Sequence, residues 1–199
     1  MSFNRIAVYG HRGFVASQVV PALIASGAPI TVLHRSTSDT SSLPEHVKKI
    51  QVDVLDQDAL VAALQDIDIV ILYIFLVGDE GTDRQYGFVK AIPRTNVKLF
   101  VPSDFCLRYC EQGMRMPCMK AKANVEKAPK DSGIPTSVVH MGNSAEFTLN
   151  SLAVGIDLQN NVLVYTGNSA NERVTMCTMR YNRTFAFSEL APTGMDASR

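Results

Sequence analysis

A glycine-containing segment near the N-terminus has residue types and a spacing that suit phosphate binding. Residues 10–16 follow a G-x-x-G-x-x-A pattern between an apolar run and a segment of helical periodicity. A glycine at 10 permits a sharp strand-to-helix turn, a glycine at 13 lets a phosphate approach the backbone, and an alanine at 16 lets the helix pack closely on the strand. The first helical N–H groups and the helix dipole would then face a pyrophosphate. The predicted dinucleotide-binding residues are Gly10, His11, Arg12, Gly13, Phe14 and Val15.

The end of the next apolar run indicates which dinucleotide would bind. An NAD site usually has an Asp or Glu at this point for the ribose hydroxyls. Here the run ends in L-H-R-S, and no carboxylate follows before Asp39. Arg35 would instead bind a 2′-phosphate, with Arg12 assisting, and the alternative is a solvated arginine at a strand end. The missing acid and the present base together favour NADP(H) over NAD(H).

The elements that would position these residues alternate between strand and helix. Strand-like runs cover residues 5–9, 30–33, 49–52, 67–75, 97–101 and 136–140, and helix-like runs cover 14–26, 57–65, 85–91, 118–131 and 144–152. The run 67–75 is almost uninterrupted β-branched and aliphatic sequence, typical of a strand buried on both faces of a parallel sheet. The alternation predicts an α/β fold with a Rossmann-type doubly wound parallel sheet. In that context a dinucleotide loop is favoured over an ordinary tight turn.

Smaller signals refine the predicted elements. Pro21 should kink the first helix because it removes a backbone hydrogen bond. Asp56 should cap the N-terminus of the second helix. Beyond residue 153 the periodicity weakens, leaving two short candidate strands at 162–165 and 173–176, and residues 188–199 are polar without a period.

Composition narrows the class of partner. The 199 residues contain 46% hydrophobic residues and 19 Lys and Arg against 19 Asp and Glu, so the net charge is zero. This profile excludes a disordered, collagenous or disulfide-framework protein. A neutral chain lacks the basic face that direct nucleic-acid or anionic-membrane binding needs. We therefore expect a small-molecule partner.

The N-terminal sequence and the cysteines indicate the compartment. No segment resembles a signal peptide, and the longest apolar stretch, 69–77, is too short to span a membrane. The four cysteines form no C-x-x-C pair. A cytoplasmic protein with reduced thiols is the expectation.

Three segments together resemble a known family. The first is the glycine loop, and the second is residues 97–105, V-K-L-F-V-P-S-D-F, which is similar to a V-K-R-F-x-P-S-E-F segment. The third runs from Lys122 through G-I-P-T at 133–136 and is similar to K-x-x-x-R-x-x-I-E-x-x-G-I-P-Y-T. These segments resemble the NmrA-like and isoflavone reductase-like branch of atypical short-chain dehydrogenases. The resemblance covers about residues 3–150.

The resemblance implies roles for further residues. By this resemblance Lys122 corresponds to the family's catalytic lysine, a general acid/base beside the nicotinamide. Two alternatives remain: Lys120 has that role, or Lys122 is an ordinary surface lysine. The segment after the fifth strand would line the nicotinamide pocket, and an aspartate after the third strand would approach the adenine. The residues so implied are Pro102, Ser103, Phe105 and Asp53, and Gln85 resembles a family glutamine at the start of the preceding helix. Cys106 stands where the family has Gly, and Pro129 is expected to interrupt the helix that carries Lys122.

The implied function is an NADP(H)-dependent reductase of a small aromatic or conjugated metabolite. A non-catalytic NmrA-type dinucleotide sensor that binds a regulatory protein is the alternative, as is a shortened, inactive family member. We expect an NAD(P)-binding Rossmann domain over residues 1–150, with 151–199 a remnant of a C-terminal substrate lobe and a polar tail.

Other patterns carry less weight. Tyr86 and Lys90 form a Y-x-x-x-K pair, but the pair precedes the fifth strand, whereas in ordinary short-chain dehydrogenases it follows it. Cys106, Cys110 and Cys118 lack a fourth ligand at a zinc-like spacing, so we expect free thiols and no metal.

Overall fold

The computed structural model describes residues 5–74, 79–106, 108, 110–111, 113–150, 155–165, 167–168, 171, 173 and 176–180. Its longer strands are β1 (Ile6–Tyr9), β2 (Ile30–His34), β3 (Lys48–Gln51), β4 (Ile69–Leu72) and β5 (Leu99–Val101). The helices are α1 (Ala16–Ala25), α2 (Gln57–Leu64), α3 (Asp79–Ala91), α4 (Pro117–Asp131) and α5 (Ala145–Asn150). Four two-residue strands follow: β6 (Asn143–Ser144), β7 (Ile156–Asp157), β8 (Val162–Leu163) and β9 (Met176–Cys177).

The central sheet has the order β3-β2-β1-β4-β5, and all of its pairs are parallel. The chain leaves β1 toward one edge of the sheet and returns to its other side as β4. The carboxyl ends of β1 and β4 therefore form the topological switch point, where doubly wound sheets bind their ligands. The predicted α/β fold is confirmed.

β1 and β4 carry only hydrophobic side chains because the sheet is covered on both faces. Ile6 and Val8 of β1 belong to a buried cluster with Val19 and Leu23 of α1. Ala7 and Tyr9 point to the opposite face, into a cluster that includes α2 and α3 side chains. Successive side chains of a strand alternate between faces, so a strand between two helical layers has no polar positions.

Two prolines are accommodated within helices. α1 runs unbroken through Pro21, whose side chain is exposed. The expectation that Pro129 interrupts its helix is wrong, since α4 continues to Asp131. Pro129 lies in the last turn, where its missing N–H removes a single helical bond, and its own carbonyl accepts from Ile134 N–H at 2.9 Å.

The predicted strand over 136–140 forms only two isolated bridges, Phe100 with Thr136 and Cys106 with His140. Its partner β5 ends at Val101 because Pro102 has no N–H to continue the ladder. The residues between the two bridges therefore have no continuous strand to pair with. Among the described helices, none is long and apolar enough to cross a bilayer.

A buried carboxylate stabilises the amino-terminal edge of the sheet. Asp68 has a side chain only 5% exposed and contacts Nε of Arg5 at 3.0 Å and Nζ of Lys98 at 2.8 Å. It also accepts from the Arg5 backbone N–H at 3.1 Å. The Arg5 guanidinium holds the pKa of Asp68 well below its ordinary value.

Replacing Asp68 by asparagine should lower the free energy of unfolding by about 2 kcal/mol at neutral pH, because charge-assisted hydrogen bonds to a buried acceptor are lost. Since the folded-state pKa is depressed, this stabilisation is complete above the unfolded-state pKa and disappears as pH falls through the folded-state value. Urea denaturation at neutral and acidic pH measures both effects. Asp66→Asn is the control: its side chain also pairs with Arg5 but is 84% exposed. Equal losses for the two variants would contradict the prediction.

Candidate cofactor and active site

The glycine loop packs directly against the end of β4. Gly10 has φ of +89°, and a Cβ there would lie 2.2 Å from the carbonyl oxygen of Tyr73. A Cβ at Gly13 would lie 3.3 Å from the carbonyl oxygens of Gly10 and Tyr73. Ala16 is fully buried at the start of α1. The approach of protein backbone thus requires a glycine at 10 and leaves little room for a Cβ at 13, and the loop packs tightly at the switch point.

The N-terminus of α1 has the features of an anion site. Its N-cap residue, Val15, provides no side-chain cap, and the first turn contains no acidic residue. Gly13 N–H is used within the loop, donating to Gly10 O at 2.9 Å. The N–H groups of Arg12, Phe14 and Val15 have no acceptor among the described residues. Free N–H groups at the positive end of a helix suit a pyrophosphate.

The side chains of the loop divide between the interior and the surface. His11 is 7% exposed, and its Nε2 lies 3.1 Å from the carbonyl oxygen of Asp39. Burial lowers the pKa of His11, which favours the neutral ring. Arg12 is exposed. Phe14 is also exposed and contacts Phe147 of α5 with ring centroids 5.8 Å apart. His11 therefore anchors the loop, while Arg12 and Phe14 are available at the surface.

Charged groups from three elements converge at the carboxyl ends of β1 to β3. Arg35 follows β2 and is exposed, and Asp53 follows β3 and accepts from Leu55 N–H at 3.0 Å. Burial raises the pKa of the Tyr9 hydroxyl, and the charges of Arg84, Arg35 and Asp53 act on the same group. Arg84 of α3 was not predicted from the sequence; only its position immediately before Gln85 could have indicated it.

The loop after β5 is held by internal hydrogen bonds. Ser103 Oγ donates to Ile74 O at 2.7 Å and accepts from Ile74 N–H at 2.8 Å. Its backbone N–H donates to Oε1 of the fully buried Gln85 at 2.8 Å. Phe105 has φ of +44° and stacks on Tyr73 at 5.1 Å. Ser103, which the resemblance implies as a residue of the nicotinamide pocket, is thus bonded through its hydroxyl to the backbone of the neighbouring strand end.

The structure distinguishes the two candidate lysines by their positions. Lys122 is partly buried on α4, and its Nζ donates to the carbonyl oxygen of Asp104 at 3.1 Å. Lys120 is exposed on the same helix. Lys122 is therefore the lysine whose ammonium lies at the carboxyl edge of the sheet, next to the loop that follows β5.

A small unit after the sheet contacts the glycine loop through Phe147. Its β6 pairs with β9, and the Glu146 carboxylate accepts from Met179 N–H at 2.9 Å and from Ser144 Oγ at 3.0 Å. The backbone N–H of Met179 lowers the pKa of Glu146. The segment 176–180 is thereby tied to α5, beside the predicted phosphate site.

The remaining sequence patterns form no second site in the described part of the chain. Tyr86 and Lys90 lie on α3, before β5. The four cysteines are free thiols. Within the described ranges, no group of three His, Cys, Asp or Glu side chains could hold a metal ion.

A parallel sheet with a glycine loop and an uncapped helix at its switch point defines a Rossmann-type α/β protein. The chain belongs to the NmrA-like family, whose model matches residues 2–169. It is 30% identical over 159 residues to an isoflavone reductase homolog of Zea mays, covering 73% of this chain and 50% of the relative. It is 30% identical over 165 residues to phenylcoumaran benzylic ether reductase 1 of Arabidopsis thaliana, covering 76% of this chain and 53% of the relative.

The fold is also similar to that of a solved reductase. The NADPH-dependent quinone oxidoreductase QOR2 of Escherichia coli, crystallised with NADPH, superposes with a TM-score of 0.75 over 96% of this chain and 66% of that one, at 19% identity. The chain spans about half the length of the curated relatives it matches.

Proposed function

We propose that this protein is an NADP(H)-dependent reductase that acts on a small aromatic or conjugated metabolite. The observation that carries the proposal is the position of the Lys122 ammonium, 3.1 Å from the Asp104 carbonyl and at the same sheet edge as the uncapped N-terminus of α1. One edge of the sheet would thus provide both the anion site and the proton donor that such a reductase needs. The relatives named above are an isoflavone reductase homolog and a phenylcoumaran benzylic ether reductase, and QOR2 was crystallised with NADPH.

The described residues fit the parts of NADP(H). The free N–H groups of Arg12, Phe14 and Val15 would bind the pyrophosphate. The Arg35 guanidinium would bind the 2′-phosphate, and Asp53 would lie near the adenosine. Residues 102–105 would form the wall beside the nicotinamide, with the Phe105 ring fixed by its stacking on Tyr73.

The chemistry divides between the cofactor and the chain. NADPH supplies a hydride when it is bound. Lys122 would donate a proton to the substrate atom that becomes negatively charged, because its ammonium has further N–H donors besides the one bonded to Asp104 O. The buried contacts of α4 and the loop after β5 hold that donor in place.

The proposal includes the organisation of the chain and its setting. Residues 1–150 would form the NADP(H)-binding domain, and residues 151–199 would supply part of the substrate lobe. The partner would be a small molecule, with no direct nucleic-acid binding. We place the protein in the cytoplasm, since free thiols persist in a reducing compartment.

The direct test has two measurements. NADPH should raise the midpoint of thermal unfolding, and the protein should oxidise NADPH in the presence of a quinone, an isoflavone or a phenylcoumaran. Binding without turnover on this panel would favour the dinucleotide sensor. Failure to bind NADPH would overturn the proposal.

Replacing Arg35 by alanine should weaken NADPH binding by about tenfold to a hundredfold, because a charge-assisted hydrogen bond to the 2′-phosphate is lost. NADH, which lacks that phosphate, should bind the variant and the wild type about equally. Calorimetric titration with each cofactor measures the difference. Arg94→Ala is the matched control, since Arg94 is paired with Asp58 at 2.7 Å on another part of the surface. An equal loss for both cofactors would show that Arg35 does not select the phosphate.

A further inference from the structure

A buried hydrogen-bond network joins α3, the end of β4 and the loop after β5. Gln85 Oε1 accepts from Ser103 N–H at 2.8 Å, and Ser103 Oγ bonds both backbone groups of Ile74. Gln85 is fully buried and Ser103 is 7% exposed. Gln85 Oε1, the Ser103 N–H and hydroxyl, and the Ile74 backbone groups satisfy one another, so this network determines where the loop after β5 lies.

The same loop carries the acceptor for Lys122. The Asp104 carbonyl, one residue beyond Ser103, accepts from Lys122 Nζ at 3.1 Å. Asp104 N–H in turn donates to Pro102 O at 2.9 Å, which makes the loop a tight turn. The planar peptide between Ser103 and Asp104 fixes the Asp104 N–H and Cα relative to Ser103. Because that N–H is also bonded to Pro102 O within the same turn, a displacement of Ser103 moves Asp104 and its carbonyl as well.

The choice of glutamine at this position has a specific explanation. Gln85 Nε2 is buried and has no hydrogen-bond partner among the described residues. Burying an amide N–H without a partner is unfavourable, and an apolar side chain of similar volume would avoid that cost. The oxygen of the side-chain amide accounts for a glutamine at this position, because the buried Ser103 N–H requires a hydrogen-bond acceptor.

We propose that Gln85 is a positioning residue, which sets the place of the Lys122 ammonium through Ser103 and the Asp104 carbonyl. The inference rests on the proposed function, in which Lys122 donates the proton. Ser103 is part of the same hydrogen-bond network, since its hydroxyl joins the end of β4 to the loop after β5. Neither side chain needs to touch the substrate for its loss to reduce turnover.

The test compares Gln85→Leu with Gln85→Glu. Leucine fills a similar volume but removes the acceptor, whereas a buried glutamic acid in its neutral form keeps a carbonyl oxygen for Ser103 N–H. Gln57→Leu is the matched control. Gln57 also makes a side-chain hydrogen bond to α3, from its Nε2 to Gly87 O at 3.4 Å, but that bond does not involve the loop after β5. Amide hydrogen exchange is measured in the cofactor-free protein, and kcat and the NADPH dissociation constant are measured with the active acceptor of the aromatic panel.

In Gln85→Leu we expect exchange of the Ser103 amide to be about tenfold faster and kcat about tenfold lower, while NADPH affinity changes by less than about threefold. Gln85→Glu should restore both values, and Gln57→Leu should match the wild type in both. Faster exchange with unchanged kcat would overturn the positioning role, as would unchanged exchange. If Gln85→Leu does not fold, Ser103→Ala provides the test, and its expected result is the same loss of kcat with faster exchange at Ile74.

The two proposals fail in different ways. Turnover that survives Gln85→Leu and Ser103→Ala overturns the positioning role alone. Absence of turnover in the wild-type chain overturns the reductase function, and the positioning role with it.

Discussion

Replacing Lys122 by alanine should lower NADPH-dependent turnover by about 10²- to 10⁴-fold, the usual contribution of a positioned general acid. The NADPH dissociation constant should change little, because the predicted phosphate contacts come from residues 10–15 and Arg35. The physical reason is the placement of Nζ, which lies 3.1 Å from the Asp104 carbonyl at the carboxyl edge of the sheet. Single-turnover kinetics and an equilibrium titration with NADPH measure the two quantities separately.

Lys120→Ala is the matched control for this prediction. Lys120 lies on the same helix and carries the same charge, but its side chain is exposed. The control should therefore retain wild-type turnover. Turnover that is lost in Lys120→Ala and kept in Lys122→Ala would assign the proton donor to the other lysine. Turnover that is kept in both variants would remove both of these lysines from the mechanism.

Replacing Gly10 by alanine should lower the free energy of unfolding by about 3 kcal/mol or more and abolish NADPH binding. The new Cβ would lie 2.2 Å from the carbonyl oxygen of Tyr73, and the residue would keep a φ of +89°. A change of side-chain rotamer cannot relieve the clash, since the Tyr73 carbonyl is backbone at the carboxyl end of β4 and the new Cβ is fixed to the backbone at the carboxyl end of β1. The loop would have to move away from β4, and its free N–H groups would move with it. Urea denaturation and an NADPH titration measure the two effects.

Gly133→Ala separates the clash from the backbone strain. Gly133 also has a positive φ, +70°, but a Cβ there would meet nothing within 4 Å. It should cost only about 1 kcal/mol, the penalty for an alanine in the left-handed region. Similar losses for the two variants would show that the close approach to Tyr73 is relieved at little cost. Retained NADPH affinity in Gly10→Ala would contradict the proposed position of the phosphate site.

Local signals in the sequence were sufficient for most of the fold. Asp56 caps α2 as predicted, accepting from the N–H groups of Asp58 and Ala59, because a cap depends only on residues within one turn. The apolar run before residue 75 became the central strand β4, since burial on both faces leaves no polar position. The predicted strand at 136–140 was wrong in extent because Pro102 ends the partner β5, a property of the neighbour and not of the segment itself.

Local sequence signals predicted only part of the geometry of the candidate site. The glycine spacing located the loop, but the close contact of Gly10 and Gly13 with Tyr73 involves residues far apart in the chain. The Ser103 hydroxyl was predicted to line a pocket, and it bonds the backbone of Ile74. The hydrogen-bond partners of a buried polar group depend on which strand ends lie next to it. Hydrophobic periodicity in the sequence does not encode that proximity.

By itself, the sequence determined the class of fold, the position of the glycine loop between β1 and α1, and the basic residue at the end of β2, because each depends on spacing within a few residues. It left Lys120 and Lys122 as alternatives, since both lie on one helix two residues apart. Only the tertiary structure separated their positions, by bringing the Asp104 carbonyl to Lys122 Nζ and leaving Lys120 exposed. That carbonyl is itself placed by Ser103 and Gln85, on different elements of the chain. The position of the Lys122 ammonium is decided by such contacts between distant residues, because they fix its distance from the sheet edge.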